Sequence, residues 1–303
     1  MPDSPPVLTL SDLDQWSFAG TALAVLGQPI KHSISPALHH AALAEMARQD
    51  ARFSTWRYFR FEVTPAELPQ ALLLLHAKKF LGLNLTVPHK ILAVDQLAAI
   101  DPRAKPVGAV NTLRWTPDGW QGFNTDGYGL AEGLKEDLGC TLAGSHIVLL
   151  GAGGAARGAA VECLQQGCAS LAIGNRTPEN LRMLLAILRP LAGQIPLHGF
   201  TTDAPPADLP AGSIVINATS AGLRETDAVP MDLAKIKAPL GVYDMIYNPP
   251  QTGLLRAAAA LQWPRANGLS MLVHQAAKAL EIWSGVDVPV AAMRAAAQSA
   301  MSP

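Results

Sequence analysis

Short apolar segments alternate with helix-type segments along most of this chain. Continuous apolar runs, typical of strands buried on both faces of a sheet, lie at residues 21–26, 146–150 and 170–174. Segments with apolar residues at helical spacing separate such runs, which predicts an α/β protein with mainly parallel sheets. Strands are predicted at residues 21–26, 53–63, 80–87, 107–115, 120–123, 146–150, 170–174, 197–200, 213–219 and 241–247, and helices at residues 36–48, 65–79, 128–138, 252–261, 269–283 and 289–301.

Local signals mark the ends of several of these elements. Ser35 and Pro36 are residue types preferred at an N-cap and at the first helical position. Thr64 and Glu67 have the spacing of a capping box at the start of the next helix. A proline-aspartate-glycine turn at residues 117–119 separates two strand-type segments, which predicts a hairpin.

Residues 148–158, VLLGAGGAARG, read as a strand, a glycine turn and the start of an alanine-rich helix. Gly151 permits a tight turn, Gly153 lets a phosphate approach the backbone, and the small Ala156 lets helix and strand pack closely. The helix start also presents unpaired N–H groups to an anion. An ordinary strand–turn–helix is the alternative, but a second strand at residues 170–174 favours a βαβ unit that binds a dinucleotide pyrophosphate.

The end of that second strand indicates which dinucleotide is bound. NAD sites usually carry an acidic residue about 20 residues after the glycine turn, where it binds the ribose 2′-hydroxyl. This chain instead has Asn175, Arg176 and Thr177. A guanidinium matches a 2′-phosphate, so the prediction is NADP. Thr177 and Pro178 also suit an N-cap and a first helical residue, and the two interpretations are compatible.

A second polar cluster is predicted in the N-terminal half. Ser33, Ser35, Thr86 and Lys90 all follow the ends of predicted strands. Because ligands of parallel sheets gather at the carboxyl ends of the strands, these side chains form a candidate ligand site. Capping alone would explain Ser35, and a solvated position at a helix end would explain Lys90.

The two clusters suggest two domains. The boundaries are placed after residue 125 and after residue 267. Residues 1–125, with residues 268–303 packing back, form an α/β substrate-binding and catalytic domain, and residues 126–267 form a Rossmann-type domain. Residues 1–20 are expected to be an extension, with a helical turn at residues 11–16, that covers a sheet edge or a dimer surface.

Composition mainly excludes classes of partner. Apolar residues make up 49% and charged residues 16% of the 303 residues, as in compact proteins. The net charge of −1 leaves no basic footprint for nucleic acid or an anionic membrane. No apolar run is long enough to span a bilayer, and the N-terminus lacks the basic start of a signal peptide. We therefore expect a cytoplasmic enzyme.

Cysteine and histidine spacing gives no reason to expect a metal. The chain has 3 cysteines, Cys140, Cys163 and Cys168. Their odd number and scattered positions predict small buried thiols in a reducing compartment. His32, His39 and His89 lie near the candidate ligand site in sequence but lack the spacing of an HExxH motif, so no metal is expected.

Several ordered blocks resemble one family. They are residues 27–39 (GQPIKHSISPALH), 82–90 (GLNLTVPHK), 108–112 (GAVNT), 122–127 (GFNTDG), 151–157 (GAGGAAR), 175–177 (NRT), 217–222 (NATSAG), 242–247 (VYDMIY) and 268–275 (GLSMLVHQ). Together these blocks resemble the shikimate dehydrogenases. One departure from the family pattern is His40 in place of asparagine, which we interpret as a change on a helix surface.

The resemblance implies reversible reduction of 3-dehydroshikimate to shikimate with NADP(H), in aromatic amino-acid biosynthesis. It also implies a cleft between the two domains that closes on the ligand. The implied substrate-binding residues are Ser33 and Ser35 for the carboxylate, and Thr86, Asn111, Asp126, Tyr247 and Gln275 for the ring hydroxyls. The implied cofactor-binding residues are Gly151, Ala152, Gly153, Gly154, Ala155, Asn175, Arg176, Thr177, Met245 and Gly268.

Lys90 and Asp126 are the implied catalytic residues, and the chemistry agrees. Hydride addition to a ketone builds negative charge on its oxygen, and a positioned acid stabilises that charge. Lys90 can donate the proton, while Asp126 can orient the ammonium and bind a neighbouring hydroxyl. An ordinary lysine has a pKa of about 10.4, so it needs a desolvated or cation-bearing setting to act as an acid near neutral pH. Asp126 would otherwise serve as the N-cap of its helix.

Three other functions remain open. A quinate/shikimate dehydrogenase that uses NAD or NADP shares the scaffold, although the serine pair and Arg176 argue against it. A non-catalytic sensor of the same ligands would be expected to lack Lys90 or Asp126, and both are present. Methylene-tetrahydrofolate dehydrogenase has a similar layout, but the Ser33–Ser35 loop and the Gln275 block do not suggest it. The chain is expected to be a monomer or a homodimer that binds small molecules.

Overall fold

The computed structural model describes residues 6–301. The packing of Cα atoms divides them into two compact units. The first unit contains the residues up to Thr125 together with those from Gln275 onward, and the second comprises Asp126–His274. The chain therefore passes twice from one unit to the other.

Helices and strands alternate along most of the chain, as predicted. The strands are β1 (Val7–Leu8), β2 (Thr21–Gly27), β3 (Trp56–Glu62), β4 (Gly82–Leu85), β5 (Ala99–Ile100), β6 (Thr112–Thr116), β7 (Gly119–Phe123), β8 (His146–Leu150), β9 (Ser170–Gly174), β10 (Leu197–Phe200), β11 (Ile214–Asn217), β12 (Gly241–Asp244) and β13 (Arg265–Asn267). The helices are α1 (Ser35–Gln49), α2 (Leu68–Ala77), α3 (His89–Leu92), α4 (Asp126–Leu138), α5 (Gly154–Gln165), α6 (Pro178–Ala192), α7 (Gly253–Ala260), α8 (Leu269–Ser284) and α9 (Val290–Met301).

A mixed sheet organises the first unit. Its strand order is β1-β3-β2-β4-β6-β7-β5. Strands β1, β3, β2 and β4 are parallel, whereas β6 runs antiparallel to both β4 and β7. The predicted hairpin is therefore β6–β7. Leu26, Phe61, Phe80 and Leu83 are buried in one apolar cluster beside this sheet, which explains the unbroken apolar run of β2.

The second unit has the strand order of a dinucleotide-binding fold. Its sheet runs β10-β9-β8-β11-β12-β13, and every neighbouring pair is parallel. If the strands are numbered within the unit, that order is 3-2-1-4-5-6. The order in which successive strands are added changes direction between β8 and β11, although all the strands remain parallel. Ligands of such sheets bind outside the carboxyl ends of the strands at this reversal. The predicted Rossmann-type fold is thus present.

The second crossing between the units lies later than the expected boundary after residue 267. Residues up to His274, in the first turns of α8, pack with the second unit. Ser270 Oγ donates to Asp137 Oδ1 at 2.8 Å, and the Met271 N–H donates to Tyr243 Oη at 3.3 Å. These contacts to α4 and β12 hold the start of α8 within the second unit. The first crossing, after Thr125, coincides with the expected boundary.

Several predicted element ends are wrong because local turns replace strand pairing. Residues 53–55 belong to a 3₁₀ helix, Ala51–Thr55, so β3 starts later than predicted. Strand β4 ends at Leu85 because the His89 N–H donates to Thr86 O at 2.8 Å and closes a turn. The two hydrogen bonds of the predicted capping box are formed, with the Thr64 N–H donating to Glu67 Oε2 at 2.8 Å and the Glu67 N–H donating to Thr64 Oγ1 at 3.3 Å. The helix itself begins at Leu68 with Glu67 as its N-cap, so the predicted start at Pro65 is wrong.

The N-terminal extension covers a sheet edge, which is one of its two expected roles. Strand β1 pairs with β3, and a 3₁₀ helix follows at Leu10–Leu13. Trp16 then packs its ring 4.8 Å from that of Phe59 and 5.1 Å from that of Phe80, measured between centroids. Residues 1–5 of this extension lie outside the described residues.

The three cysteines are free and buried, as predicted. Burial raises the pKa of the Cys140 thiol, of the Cys163 thiol and, to about 11, of the Cys168 thiol. Within residues 6–301, no helix combines the length and the apolar character needed to cross a bilayer.

Candidate active site

The glycine turn between β8 and α5 leaves its backbone accessible. Gly151 has a φ of 117°, a conformation that favours glycine, and a Cβ there would lie 3.0 Å from Ala218 O. At Gly153 and Gly154 no heavy atom of the described residues lies within 4 Å of an added Cβ. The protein's own packing therefore does not require those two glycines, whereas close approach of a pyrophosphate to the helix start would.

Asn175, Arg176 and Thr177 follow β9, the neighbour of β8 in the sheet. Arg176 and Thr177 are exposed, and Asn175 Nδ2 donates to Thr177 O at 2.8 Å, which closes the turn. Thr177 occupies the N-cap position of α6, as predicted, but its side chain makes no capping hydrogen bond. The turn therefore presents a guanidinium and a hydroxyl to solvent beyond β9, a donor set that fits a 2′-phosphate.

Met245 and Gly268, both predicted to lie near the nicotinamide, are in contact with each other. A Cβ on Gly268 would lie 2.2 Å from Met245 O, so any larger residue would move the backbone. The Gly268 N–H donates to Ile246 O at 3.2 Å. Tyr247, two residues after Met245, is half-buried, and burial raises the pKa of its phenol.

Asp244 is a buried carboxylate that the sequence analysis did not identify. Its Oδ1 accepts from Asn217 Nδ2 at 2.9 Å and from the Ile246 N–H at 3.1 Å, and its Oδ2 accepts from Thr252 Oγ1 at 2.6 Å. Burial raises its pKa, while these three donors act in the opposite direction. Asp244 thereby connects the ends of β11 and β12 to the start of α7. Its signal in the sequence is an acidic residue within an otherwise apolar strand.

In the first unit, the loop after β2 lies against the turn after β4. A Cβ on Gly27 would lie 2.4 Å from Thr86 Cγ2, and the Gln28 N–H donates to Val87 O at 3.2 Å. The loop that carries Ser33 therefore starts beside Thr86.

Ser33 and Ser35 lie in and immediately after that loop. The Ser33 N–H donates to Ile30 O at 3.0 Å, and the Ser35 N–H donates to Ser33 Oγ at 3.4 Å. Ile34 is the N-cap of α1, and Ser35 is the first helical residue, so the interpretation of Ser35 as the N-cap is wrong.

Lys90 lies on α3, and contacts at two positions fix this short helix. The Val110 N–H donates to Lys90 O at 2.8 Å, and the buried His89 ring bonds through Nε2 to Val63 O at 2.8 Å. His89 therefore holds a proton on Nε2, because Val63 O can only accept. These contacts orient the backbone of Lys90, and sequence reasoning did not assign His89 this role.

Asn111 and Gln275 are brought together from opposite ends of the chain. Asn111 Nδ2 lies 3.4 Å from Gln275 Oε1 and donates to Thr125 Oγ1 at 3.0 Å. The Thr125 N–H donates to Asn111 Oδ1 at 2.9 Å, and Asn84 Nδ2 donates to Asn111 O at 3.1 Å. Thr125 and Asn84 were not among the predicted site residues, although both lie inside the blocks quoted above.

Asp126 follows Thr125 directly and begins the second unit. It is the half-buried first residue of α4, so its carboxylate lies in the positive first turn of that helix. The next residue, Gly127, packs against the side chain of Glu162 on α5, where a Cβ would lie 2.4 Å from Glu162 Oε2. This packing fixes the helix start that carries Asp126.

His40 was expected to lie on a solvent-facing helix surface, but its ring bonds to the neighbouring strand. Its Nε2 accepts the N–H of Tyr58 in β3 at 3.0 Å, and burial, together with the charge of Arg57, lowers its pKa. The neighbouring His39 is fully buried and stacks on the Tyr58 ring with centroids 4.0 Å apart. Burial, reinforced by His40, lowers the pKa of His39 to about 3. Burial also lowers the pKa of His89.

These three histidines predict loss of stability in acid. Their pKa values are lowered in the folded state, so between about pH 6.5 and the folded pKa the unfolded chain binds more protons. The free energy of unfolding is expected to fall in that window by about 1.4 kcal/mol per pH unit for each such histidine. Urea unfolding of wild type and His39→Phe between pH 6 and pH 4 measures it. The free energy of unfolding should fall less steeply with decreasing pH in the variant, by the contribution of one proton, or about 1.4 kcal/mol per pH unit. Equal slopes for the two proteins would contradict the lowered pKa of His39.

Among the described residues, no group of three or more histidine, cysteine, aspartate or glutamate side chains is arranged to hold a metal ion.

Two family models and several known proteins match this chain. Residues 25–113 match the shikimate dehydrogenase substrate-binding domain, and residues 268–298 match the shikimate 5′-dehydrogenase C-terminal domain. A shikimate dehydrogenase (NADP(+)) of Geobacter metallireducens is 36% identical over 274 residues, which cover 90% of this chain and 94% of that protein.

Two solved structures illustrate the range of the likeness. A Thermus thermophilus shikimate 5-dehydrogenase in complex with NADP(H) and shikimate has a TM-score of 0.79 and 32% identity, over 92% of this chain and 99% of that one. A Corynebacterium glutamicum quinate dehydrogenase in complex with NAD has a TM-score of 0.80 and 27% identity, over 92% of this chain and 99% of that one. The predicted family and the predicted class of enzyme, an oxidoreductase, are confirmed. Because a shikimate dehydrogenase is 36% identical to it over 90% of its length, the chain belongs to the shikimate dehydrogenase family.

Proposed function

We propose that this enzyme reduces 3-dehydroshikimate reversibly to shikimate with NADPH, a step of aromatic amino-acid biosynthesis. The observation that carries the proposal is the open backbone of Gly153 and Gly154 at the end of the first strand of a 3-2-1-4-5-6 sheet. Arg176, exposed beyond the neighbouring strand, favours the 2′-phosphate of NADP. The Geobacter metallireducens relative, a shikimate dehydrogenase (NADP(+)), supports the same cofactor.

The polar cluster of the first unit supports a substrate with a carboxylate and several hydroxyls. Ser33 and Ser35 are proposed to bind the carboxylate. Thr86, Asn111, Asp126, Tyr247 and Gln275 are proposed to bind the ring hydroxyls. Of these, Asn111 and Gln275 already lie within 3.4 Å of each other, so one hydroxyl could bond to both amides.

Lys90 is proposed to transfer the proton to the ketone oxygen of the substrate. Bound NADPH would supply a hydride to the ketone carbon, so that negative charge develops on the ketone oxygen. Lys90 Nζ donates a proton to that oxygen as the charge develops, and takes it back in the reverse direction. Asp126 is proposed to orient the lysine ammonium and to accept from a neighbouring hydroxyl. The anchoring of α3 at Lys90 O and at the His89 ring reduces the freedom that Lys90 must lose in reaching this position.

The enzyme is proposed to act in the cytoplasm as a monomer or a homodimer. Oxidation of quinate with NAD is the second candidate function, since the structure resembles that of the Corynebacterium glutamicum quinate dehydrogenase with a TM-score of 0.80. Sedimentation of the purified chain would distinguish the two oligomeric states.

The test of the proposed function is nicotinamide absorbance at fixed enzyme concentration, with shikimate and quinate each combined with NADP⁺ and NAD⁺. Oxidation of shikimate with NADP⁺, with the other combinations at least tenfold slower, is the expected result. Comparable rates with quinate or NAD⁺ would assign the chain to the dual-specificity relatives. No oxidation in any combination would favour a ligand sensor, and binding would then be measured directly.

A further inference from the structure

Arg60 is the most deeply buried arginine or lysine among residues 6–301, with only 8% of its surface exposed. It lies near the carboxyl end of β3, whose backbone pairs with β2 on one side and with β1 on the other. A guanidinium is costly to bury, because removing a charge from water is unfavourable unless hydrogen bonds and opposite charge compensate. At this depth its charge also interacts through a lower effective dielectric than the charge of a surface arginine.

The side chain of Arg60 is directed towards the start of α1. Side chains two residues apart on a strand lie on the same face, so Arg60 shares a face with Tyr58. The Tyr58 ring stacks on His39 of α1, which identifies that face as the one covered by α1. Arg60, nearer the end of the strand, therefore faces the loop that leads into α1.

Contacts confirm that direction. Arg60 Nη1 donates to Lys31 O at 2.8 Å and lies 3.4 Å from Ser33 O. Ser33 Oγ in turn accepts from the Ser35 N–H at 3.4 Å. The guanidinium therefore contacts the backbone carbonyl of Ser33, the residue whose hydroxyl is proposed to bind the substrate carboxylate.

The charge of Arg60 matters at this distance. Serine hydroxyls are neutral, and a net charge of −1 gives the chain no overall attraction for an anion. A buried cation beside a carboxylate site interacts with the carboxylate through a lower effective dielectric and is less screened by salt than a surface cation. The bonds to Lys31 O and Ser33 O hold the guanidinium against the loop, so its charge has a fixed position relative to the serine hydroxyls.

We propose that Arg60 is a specificity-determining residue, whose buried positive charge selects substrates with a carboxylate at Ser33 and Ser35 over uncharged analogues. The proposal rests on the proposed function, because it concerns the same substrate. It adds the source of the attraction: the hydroxyls position the carboxylate, and Arg60, from behind the loop, stabilises its charge. The preferred substrate class is therefore a ring hydroxy acid in its ionised form.

The experiment compares an ionised with an uncharged ligand. The kcat/KM for shikimate with NADP⁺ and the competitive inhibition constant of methyl shikimate are measured for wild type, Arg60→Gln and Arg60→Lys. Arg57→Gln is the matched control, because Arg57 lies on the same strand but is exposed, and its Nη1 donates to Ser54 O and Trp56 O. Thermal melts establish that each variant is folded.

Arg60→Gln is expected to lower kcat/KM for shikimate by about tenfold or more, from the Coulomb interaction at this distance, with little change in the ester's inhibition constant. Arg60→Lys should retain most of the preference for the acid, and Arg57→Gln should leave both values unchanged. Equal losses for acid and ester would overturn the proposal and assign Arg60 a structural role. If Arg60→Gln does not fold, a folded Arg60→Lys that loses the preference overturns it. If wild type does not oxidise shikimate, the proposed function itself has failed.

Discussion

Replacing Lys90 with methionine is expected to lower kcat for shikimate oxidation by about 10² to 10⁴-fold, the usual contribution of a positioned acid or base. KM should change by less than about tenfold, because the main interaction of the ammonium strengthens only in the transition state. Methionine keeps the length of the side chain without its charge. Lys90 is half-buried on α3, and the anchors of that helix are backbone atoms and His89, so the variant should fold.

The matched control for this experiment is Lys105→Met. Lys105 is an exposed lysine in the same unit, on the short 3₁₀ helix Lys105–Val107, and should be replaceable without effect on kcat. Steady-state rates with saturating NADP⁺ give kcat and KM for both variants. A Lys90→Met enzyme with normal kcat and a raised KM would assign Lys90 to ground-state binding and remove it as the proton donor.

Replacing Arg176 with aspartate is expected to reverse the choice of cofactor. The variant loses a charge-assisted pair with the 2′-phosphate and gains a carboxylate that repels it and can bind a free 2′-hydroxyl. We expect kcat/KM with NADP⁺ to fall by about 100-fold or more, with NAD⁺ unchanged or improved. Because Arg176 is exposed in a turn closed by Asn175, the substitution should leave stability nearly unchanged.

Arg189→Asp provides the control for the change in net charge. Arg189 is exposed in the last turn of α6, whereas Arg176 immediately precedes the start of the same helix. The ratio of kcat/KM with NADP⁺ to that with NAD⁺ should be unchanged in Arg189→Asp. An unaltered ratio in Arg176→Asp would show that other groups select the cofactor, and the assignment from the sequence would be wrong.

The glycine turn illustrates what could be predicted from the sequence. Strands β8 and β9 have the predicted bounds, because an uninterrupted apolar run has few alternatives to a buried parallel strand. The turn between β8 and α5 was equally predictable, since Gly151 adopts a backbone conformation that other residues rarely take. The two hydrogen bonds of the capping box join residues three positions apart, Thr64 and Glu67, and they are present as predicted, although the helix begins only at Leu68.

The short edge strands could not be predicted in the same way. β1 and β5 contain two residues each and β13 three, too few to show a period. They are strands because a neighbour offers hydrogen-bonding partners, as β3 does for β1. The second crossing point between the units was misplaced for a related reason. Ser270 and Met271 join the second unit through contacts to Asp137 and Tyr243, which are remote in sequence.

The sequence by itself determined the two α/β folds, the family, and the residue types at the candidate sites, because these depend on local periodicity and on short motifs. Only the tertiary structure decided how those residues are supported. The bond of His40 to Tyr58, the link of Asn111 to Thr125 and Gln275, and the position of Arg60 behind Ser33 join segments separated by many residues. Such contacts arise from the packing of helices on sheets, which brings distant residues within hydrogen-bond distance and leaves no local pattern in the chain.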